Sequence, residues 1–356
     1  MKKAIILLIL AALLTFALIG CAQDAATTAV AHTEEPQFVQ VTDFNGNVVT
    51  VRQNPTVVAV YDQGILDMLY SVGIERTGIE TIIVPSPATM PDLLGFFRDG
   101  GNENINVVNG GTLFYVNWDV LDLITPELVI LGARSFGMNA AGDRLSPEDR
   151  DAFMYDTFEK YAQTTFITLT INARNSDLLN DMRNNAQALA LIFPAIGDDL
   201  MDKIAEIEEQ MNDIANITSN LDKNAVFVMM TTPTTFSVFL ENSRFDFMYE
   251  EFGFIPLDMD LELWTDQHGF DAQSEFLLEQ NPDVIFLLDR TEPDTGLGAA
   301  TENFMNDSII GNTNAAINGH IYSGLPMAEW YTVVGGIGSA RRMIQDVQRF
   351  LTDIGY

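Results

Sequence analysis

The chain has 356 residues, 18 lysines and arginines against 50 aspartates and glutamates, a net charge of −32, and 47% hydrophobic residues. A field of that sign repels phosphate backbones and anionic headgroups, which excludes nucleic acid as a partner and requires any hold on a membrane to be covalent. A lone cysteine allows no intrachain disulfide. Stability must therefore come from an apolar core, and the length is enough for two lobes.

Residues 1–20 read as a secretory signal: Lys2 and Lys3 precede an apolar run at 4–19 interrupted only by Thr15. That run is shorter than the roughly 20 residues a bilayer-spanning helix needs. It closes on Leu18, Ile19, Gly20 and Cys21, which resembles a bacterial lipobox. Cys21 is thus expected to carry lipid and to hold the protein at the extracytoplasmic face of the cell membrane. The small, polar residues of 21–37 supply a flexible tether.

An N-terminal α/β lobe is expected over 38–175. Val57, Val58, Ala59, Val60 and Tyr61 read as a buried strand. Residues 64–72 follow with helical spacing through Ile65, Leu66, Leu69 and Val72 until Gly73 stops them. A helical stretch at 120–124 leads to Leu128, Val129, Ile130 and Leu131, whose unbroken apolarity fits a parallel strand covered on both faces. Residues 176–193 read as one long helix capped by Ser176 and ended by Pro194 and Gly197, which makes 176–194 the linking helix. Ile204, Ile207, Met211 and Ile214 mark another helix, and the run 225–230 restarts the α/β pattern in a C-terminal lobe over 195–356. The predicted fold is α/β: two Rossmann-like lobes with parallel sheets joined by one long helix, with a ligand cleft between the lobes. An unbroken linking helix predicts little hinge motion.

An internal repeat carries the functional reading. The segment from Asp119 through Pro126 to Leu131 aligns without a gap on that from Glu275 through Pro282 to Leu287. In both, an acid stands seven residues before the proline, an acid follows it directly, an apolar strand comes next, and an arginine stands eight residues beyond, Arg134 and Arg290. Residues just past the carboxyl ends of parallel strands line the crevice of an open α/β sheet. Two facing lobes would therefore aim Arg134 and Arg290 into one cleft, and leave Asp119 and Glu275 on an outward edge.

Across residues 40–350 the chain resembles the siderophore-binding lipoproteins of ABC-type iron importers, within the class III periplasmic binding proteins, and in particular their ferric-catecholate group. The resemblance rests on segments in order: Asp43 to Gly46, Val60 to Leu69, Pro126 to Ser135, Asn242 to Phe245 with Glu251 to Gly253, Gln267 to Gly269, Asn281 to Arg290, and Trp330 and Tyr331 before Gly335 and Gly336. It implies a protein that captures an anionic ferric siderophore, with a catecholate the expected type, and delivers it to a permease and its ATPase. It implies no enzyme activity, no cofactor, and a monomer. Haem, cobalamin or another iron chelate is the alternative cargo on the same fold.

The resemblance places ligand contacts at Arg134, Arg244 and Arg290. Chemistry agrees, because guanidinium is a permanently charged, weakly hydrated donor that also stacks on aromatic rings, as a ferric tris-catecholate trianion requires. It adds Trp330 and Tyr331 as cleft aromatics and His268 in a cleft loop. Phe114, Tyr115 and Trp118 are weaker aromatic candidates. With three histidines in the chain, His32 in the tether and His320 in a turn, no direct metal site is assigned. Asp119 and Glu275 are the expected permease-docking acids. No serine-nucleophile elbow or phosphate-binding glycine loop is present to suggest an enzyme.

Overall fold

The computed structural model describes residues 36–172, 176–259, 268–292 and 296–356. The signal segment, Cys21 and all but the end of the tether lie outside the described residues, as does Gln267.

The first half runs β1 (Phe38–Thr42), β2 (Val48–Arg52), β3 (Val57–Val60), α1 (Gln63–Ser71), β4 (Thr81–Val84), α2 (Gly95–Arg98), β5 (Asn106–Asn109), α3 (Trp118–Ile124), β6 (Leu128–Leu131), α4 (Pro147–Lys160), β7 (Thr165–Thr168) and α5 (Leu178–Ile192). The second runs α6 (Gly197–Thr218), β8 (Ala225–Thr232), β9 (Thr235–Phe239), α7 (Phe247–Glu250), β10 (Phe270–Ala272), α8 (Ser274–Gln280), β11 (Val284–Asp289), α9 (Ala299–Met305), α10 (Asn314–Asn318), β12 (Ile321–Tyr322) and α11 (Ile337–Asp353). Strands β1 and β2 form a separate antiparallel hairpin.

The N-terminal sheet has the order β5-β4-β3-β6-β7 and is parallel throughout. Its strands are apolar without alternation because both faces are covered. Val58 and Val60 of β3 face one core, while Ala59 faces another with Val129 and Leu131. The C-terminal sheet, β10-β9-β8-β11-β12, departs from the expectation of parallel sheets. Strand β11 pairs parallel with β8 and β12, but β9 returns antiparallel to β8, and β10 to β9. Only Pro233 and Thr234 separate β8 from β9. So short a connection permits a hairpin and forbids a crossover.

The repeat is structural. Helices α3 and α8 both end on a left-handed residue, Thr125 (φ 51°) and Asn281 (φ 47°), directly before Pro126 and Pro282. Strands β6 and β11 each begin two residues past the proline, beside the first strand of their own sheet.

The lobes are joined through α5 and the 22-residue α6, which pack along each other, and α6 delivers the chain to β8. The long helix is thus α6, whereas residues 176–194, expected to make the link, correspond to the shorter α5, which also packs on β1. Ser176 does not cap α5. The residue before the helix is Asp177, in the left-handed region (φ 66°), and the Ser176 backbone carbonyl and hydroxyl instead accept from Asn172 Nδ2. One continuous core runs from β3 and α1 through α5, α6 and α11 to Phe227 and Phe286 of the second sheet.

Candidate functional site

The cleft opens at the carboxyl ends of the parallel strands, where backbone groups and side chains are free of the sheet. Its volume is about 980 Å³, and residues following β3, β6, β7, β9 and β11 line it. Past β3 comes Asp62, which caps α1 by accepting from Gly64 N (2.9 Å) and Ile65 N (3.2 Å) and accepts Thr170 Oγ1 at 2.9 Å. Burial raises its pKa, opposed by the Thr170 and Ile65 hydrogen bonds and by Arg134.

Arg134, three residues beyond β6, donates across the cleft to the carbonyls of Tyr331 (3.3 Å) and Thr332 (3.5 Å). Arg290 follows β11 directly. The turn that carries it is pinned by buried Asp289, which accepts from Thr291 N (2.8 Å) and Oγ1 (2.6 Å) and from Thr301 N and Oγ1 (both 3.0 Å). Desolvation pushes the Asp289 pKa up, but these donors outweigh it and hold the carboxyl below its ordinary value. Arg244 lies in the turn after β9. Left-handed Asn242 (φ 60°) donates there to Asp246 Oδ1 (2.8 Å), and Phe245 stacks on Phe227 with centroids 3.7 Å apart.

The three guanidiniums converge on one ring. Their Cζ atoms lie 4.4 Å (Arg244), 5.8 Å (Arg134) and 6.0 Å (Arg290) from the centroid of Tyr331, within cation–π range. Desolvation depresses the Arg244 pKa, the Tyr331 hydroxyl opposes that, and Arg134 and Arg290 depress it further. Three like charges are therefore held together in a partly dry space, an arrangement that stores repulsion an anion would relieve.

Ion pairing separates Arg134 and Arg290 from most of the described arginines. Arg52, Arg76, Arg98, Arg183, Arg341, Arg342 and Arg349 all pair with carboxylates. Within the cleft, neither Arg134, Arg144 nor Arg290 has a carboxylate partner among the described residues, in a chain with 50 of them. Among the described residues, five basic side chains, Arg134, Arg144, Arg150, Arg244 and Arg290, line this one space. Sequence reasoning missed Arg144 and Arg150; the scarcity of cations was the signal that could have raised them.

His268 lines the cleft and is exposed, and Phe114 lines it as well. Trp330 does not, which corrects its assignment as a cleft aromatic. It is wholly buried, with Phe227, Phe247, Phe252 and Phe286 around it, and its Nε1 donates to Asp346 Oδ2 at 2.9 Å. The π-helical turn Ala328–Thr332 sends Trp330 into the core and Tyr331 to the cleft. Trp118 stacks on Phe136 and Tyr161, and neither it nor Tyr115 is among the lining residues. Asp119 and Glu275 stand exposed in the first turns of α3 and α8, where an acid also suits the helix dipole.

A two-lobed α/β body with a cation-lined cleft at its strand ends defines a solute-binding architecture, and the chain belongs to the periplasmic binding protein family, whose model matches residues 58–326. It is 26% identical over 352 residues to the petrobactin-binding protein YclQ of Bacillus subtilis, spanning 98% of both chains. It is 22% identical over 330 residues to the ferric-anguibactin-binding protein FatB of Vibrio anguillarum, spanning 93% of this chain and 92% of that one. The crystal structure of YclQ shares the fold with a TM-score of 0.69 at 24% identity, over 88% of this chain and 99% of that one. The catecholate-siderophore binding protein VctP of Vibrio cholerae does so at 0.69 and 21%, over 88% and 100%.

Proposed function

We propose that this protein captures an anionic ferric siderophore outside the cytoplasm and hands it to the permease of an ABC-type importer, acting as a carrier and not as an enzyme. The observation that carries the reading is the convergence of Arg134, Arg244 and Arg290, from both lobes, on the ring of Tyr331. A ferric tris-catecholate supplies three negative charges and flat aromatic faces, and guanidinium groups answer both. A cleft of about 980 Å³ is of the size that encloses such a ligand. The relatives named for petrobactin and ferric anguibactin support the same cargo class. Catecholate chelates suit the cleft better than neutral hydroxamates, because only a polyanion offsets three clustered cations.

The reading extends to how cargo is passed on. A monomer tethered through lipidated Cys21 would stay beside its permease, and exposed Asp119 and Glu275, one on each lobe, would meet basic pockets on it. The test is a fluorescence titration of the purified protein with a panel of ferric catecholates, ferric citrate, ferric hydroxamates, haem and cobalamin. Saturable quenching is expected for the catecholates. Arg134→Ala with Arg290→Ala should weaken it by about 100-fold or more, since each lost charged hydrogen bond costs roughly 1.5–3 kcal/mol. No quenching by any ferric chelate sinks the reading.

A further inference from the structure

The arginines around Tyr331 leave two cations on the N-terminal wall of the cleft without a role. Arg144 is carried by a rigid fold-back of the chain. Leu145 N donates to Gly137 O (3.0 Å), Met138 and Arg144 bridge antiparallel, and Asn139 Oδ1 accepts from both Ala141 N and Asp143 N at 2.9 Å. The backbone at Arg144 is thus held, while its exposed side chain has no hydrogen bond or ion pair among the described residues. Arg150 sits near the start of α4, the end at which aligned peptide dipoles disfavour a cation. Its carboxylate partner is its own neighbour Asp151, at 3.7 Å and largely exposed. Neither residue has a counterpart in the repeat, neither contacts the Tyr331 ring, and both line the cleft.

Resting on the siderophore reading of the cleft, we infer that Arg144 and Arg150 form a second anion subsite, which takes a carboxylate that the ligand carries outside its iron-chelating groups. Both side chains reach the same space, and each guanidinium can donate to an oxygen of a planar carboxylate. Aromatic faces of the chelate are served elsewhere, by Tyr331 and Phe114. The preferred cargo is thus a mixed ligand, with catechols for the metal and a free acid at its edge. Such a ligand is more anionic than a plain tris-catecholate and uses all five arginines.

The test compares two ferric complexes of one catecholate ligand, the first with a free carboxylate and the second with the matching carboxamide, by fluorescence titration. The native protein is expected to favour the carboxylate by roughly tenfold, the worth of one charge-assisted contact. In Arg144→Gln with Arg150→Gln that ratio collapses toward one, whereas Arg134→Gln lowers both affinities and keeps the ratio. Equal binding of the two complexes by the native protein, or a ratio that survives in the double variant, overturns the subsite. Binding of neither complex overturns the catecholate preference and the subsite with it, while the siderophore reading falls only if every ferric chelate of the wider panel also fails.

Discussion

Trp330 and Tyr331 are adjacent, yet one is core and the other is site. Trp330 hydrogen-bonds through Nε1 to Asp346, a carboxylate only 1% exposed that also meets Arg342 and Arg349. Replacing it by phenylalanine leaves part of that carboxylate's coordination unfilled inside the core. Trp330→Phe should therefore lower unfolding free energy by about 1.5–3 kcal/mol in urea titrations while chelate affinity holds. Tyr331→Ala should do the reverse, weakening chelate binding with a smaller loss of stability, because the ring is the hub of three guanidiniums. The sequence carried the arginines plainly: they are scarce in an acidic chain, and two stand at equal offsets in a repeat. It could not tell which of two neighbouring aromatics faces the cleft. That choice belongs to the π-helical turn Ala328–Thr332, which shifts facing by an extra residue and has no compositional mark. Arg144 and Arg150 escaped notice for a related reason, since a loop and the first turns of α4 bring them to the site and no periodicity records it.

Helix α11 shows how elements from opposite ends of the chain are locked together. Its Ser339 N donates to Asp67 Oδ2 (3.0 Å) of α1, so a carboxylate of the first helix serves the first turn of the last one. Gly336 and Gly338 make the approach possible: a Cβ at either would stand 2.1 Å or 2.7 Å from an Asp67 oxygen. Gly336→Ala should cost roughly 1–3 kcal/mol of stability, as overpacking does. Burial pushes the Asp67 carboxyl up to about 6, against hydrogen bonds from Ser339, Ser71 and Gly338 and the charge of Arg341. Its folded pKa therefore lies above its ordinary 3.8, so the folded state holds the proton in the interval where the unfolded state has lost it. Stability from this group is full below about pH 4 and is lost as pH rises through 6. Asp67→Asn should flatten that fall, by an amount on the order of 3 kcal/mol, in denaturation curves measured from pH 4 to 7. Glu251, pushed up to about 7 by burial, slopes the same way and remains as the internal control. The strands and most helices were readable because apolar runs and 3.6-residue spacing reflect burial. The identity of the joining helix was not, because α5 and α6 carry similar amphipathic patterns and only packing shows which one delivers the chain to the second sheet.

At the scale of the whole molecule, a net charge of −32 surrounds a cleft of five arginines. An anionic chelate arriving from solution meets the outer field first and the cleft last. At about 0.01 M salt the screening length is roughly 30 Å, comparable to the protein itself, so the repulsion of the acidic surface reaches the approaching ligand. At about 0.15 M it shrinks to roughly 8 Å. The outer charges then fade, while the arginines, which the ligand touches at contact distance inside a low-dielectric space, are screened far less. Association of a ferric tris-catecholate should therefore accelerate as salt rises from 0.01 to 0.15 M, opposite to the usual behaviour of oppositely charged partners. Dissociation should change little over the same range. Stopped-flow quenching at a series of ionic strengths reads both rates, and an association rate that falls with salt would mean that the cleft's own field dominates at long range. Reversing the two exposed helix-start acids, Asp119→Lys with Glu275→Lys, removes two negative charges and adds two positive ones. It should raise the low-salt association rate, and, if these acids dock to the permease, it should abolish chelate uptake in cells while binding by the purified protein persists.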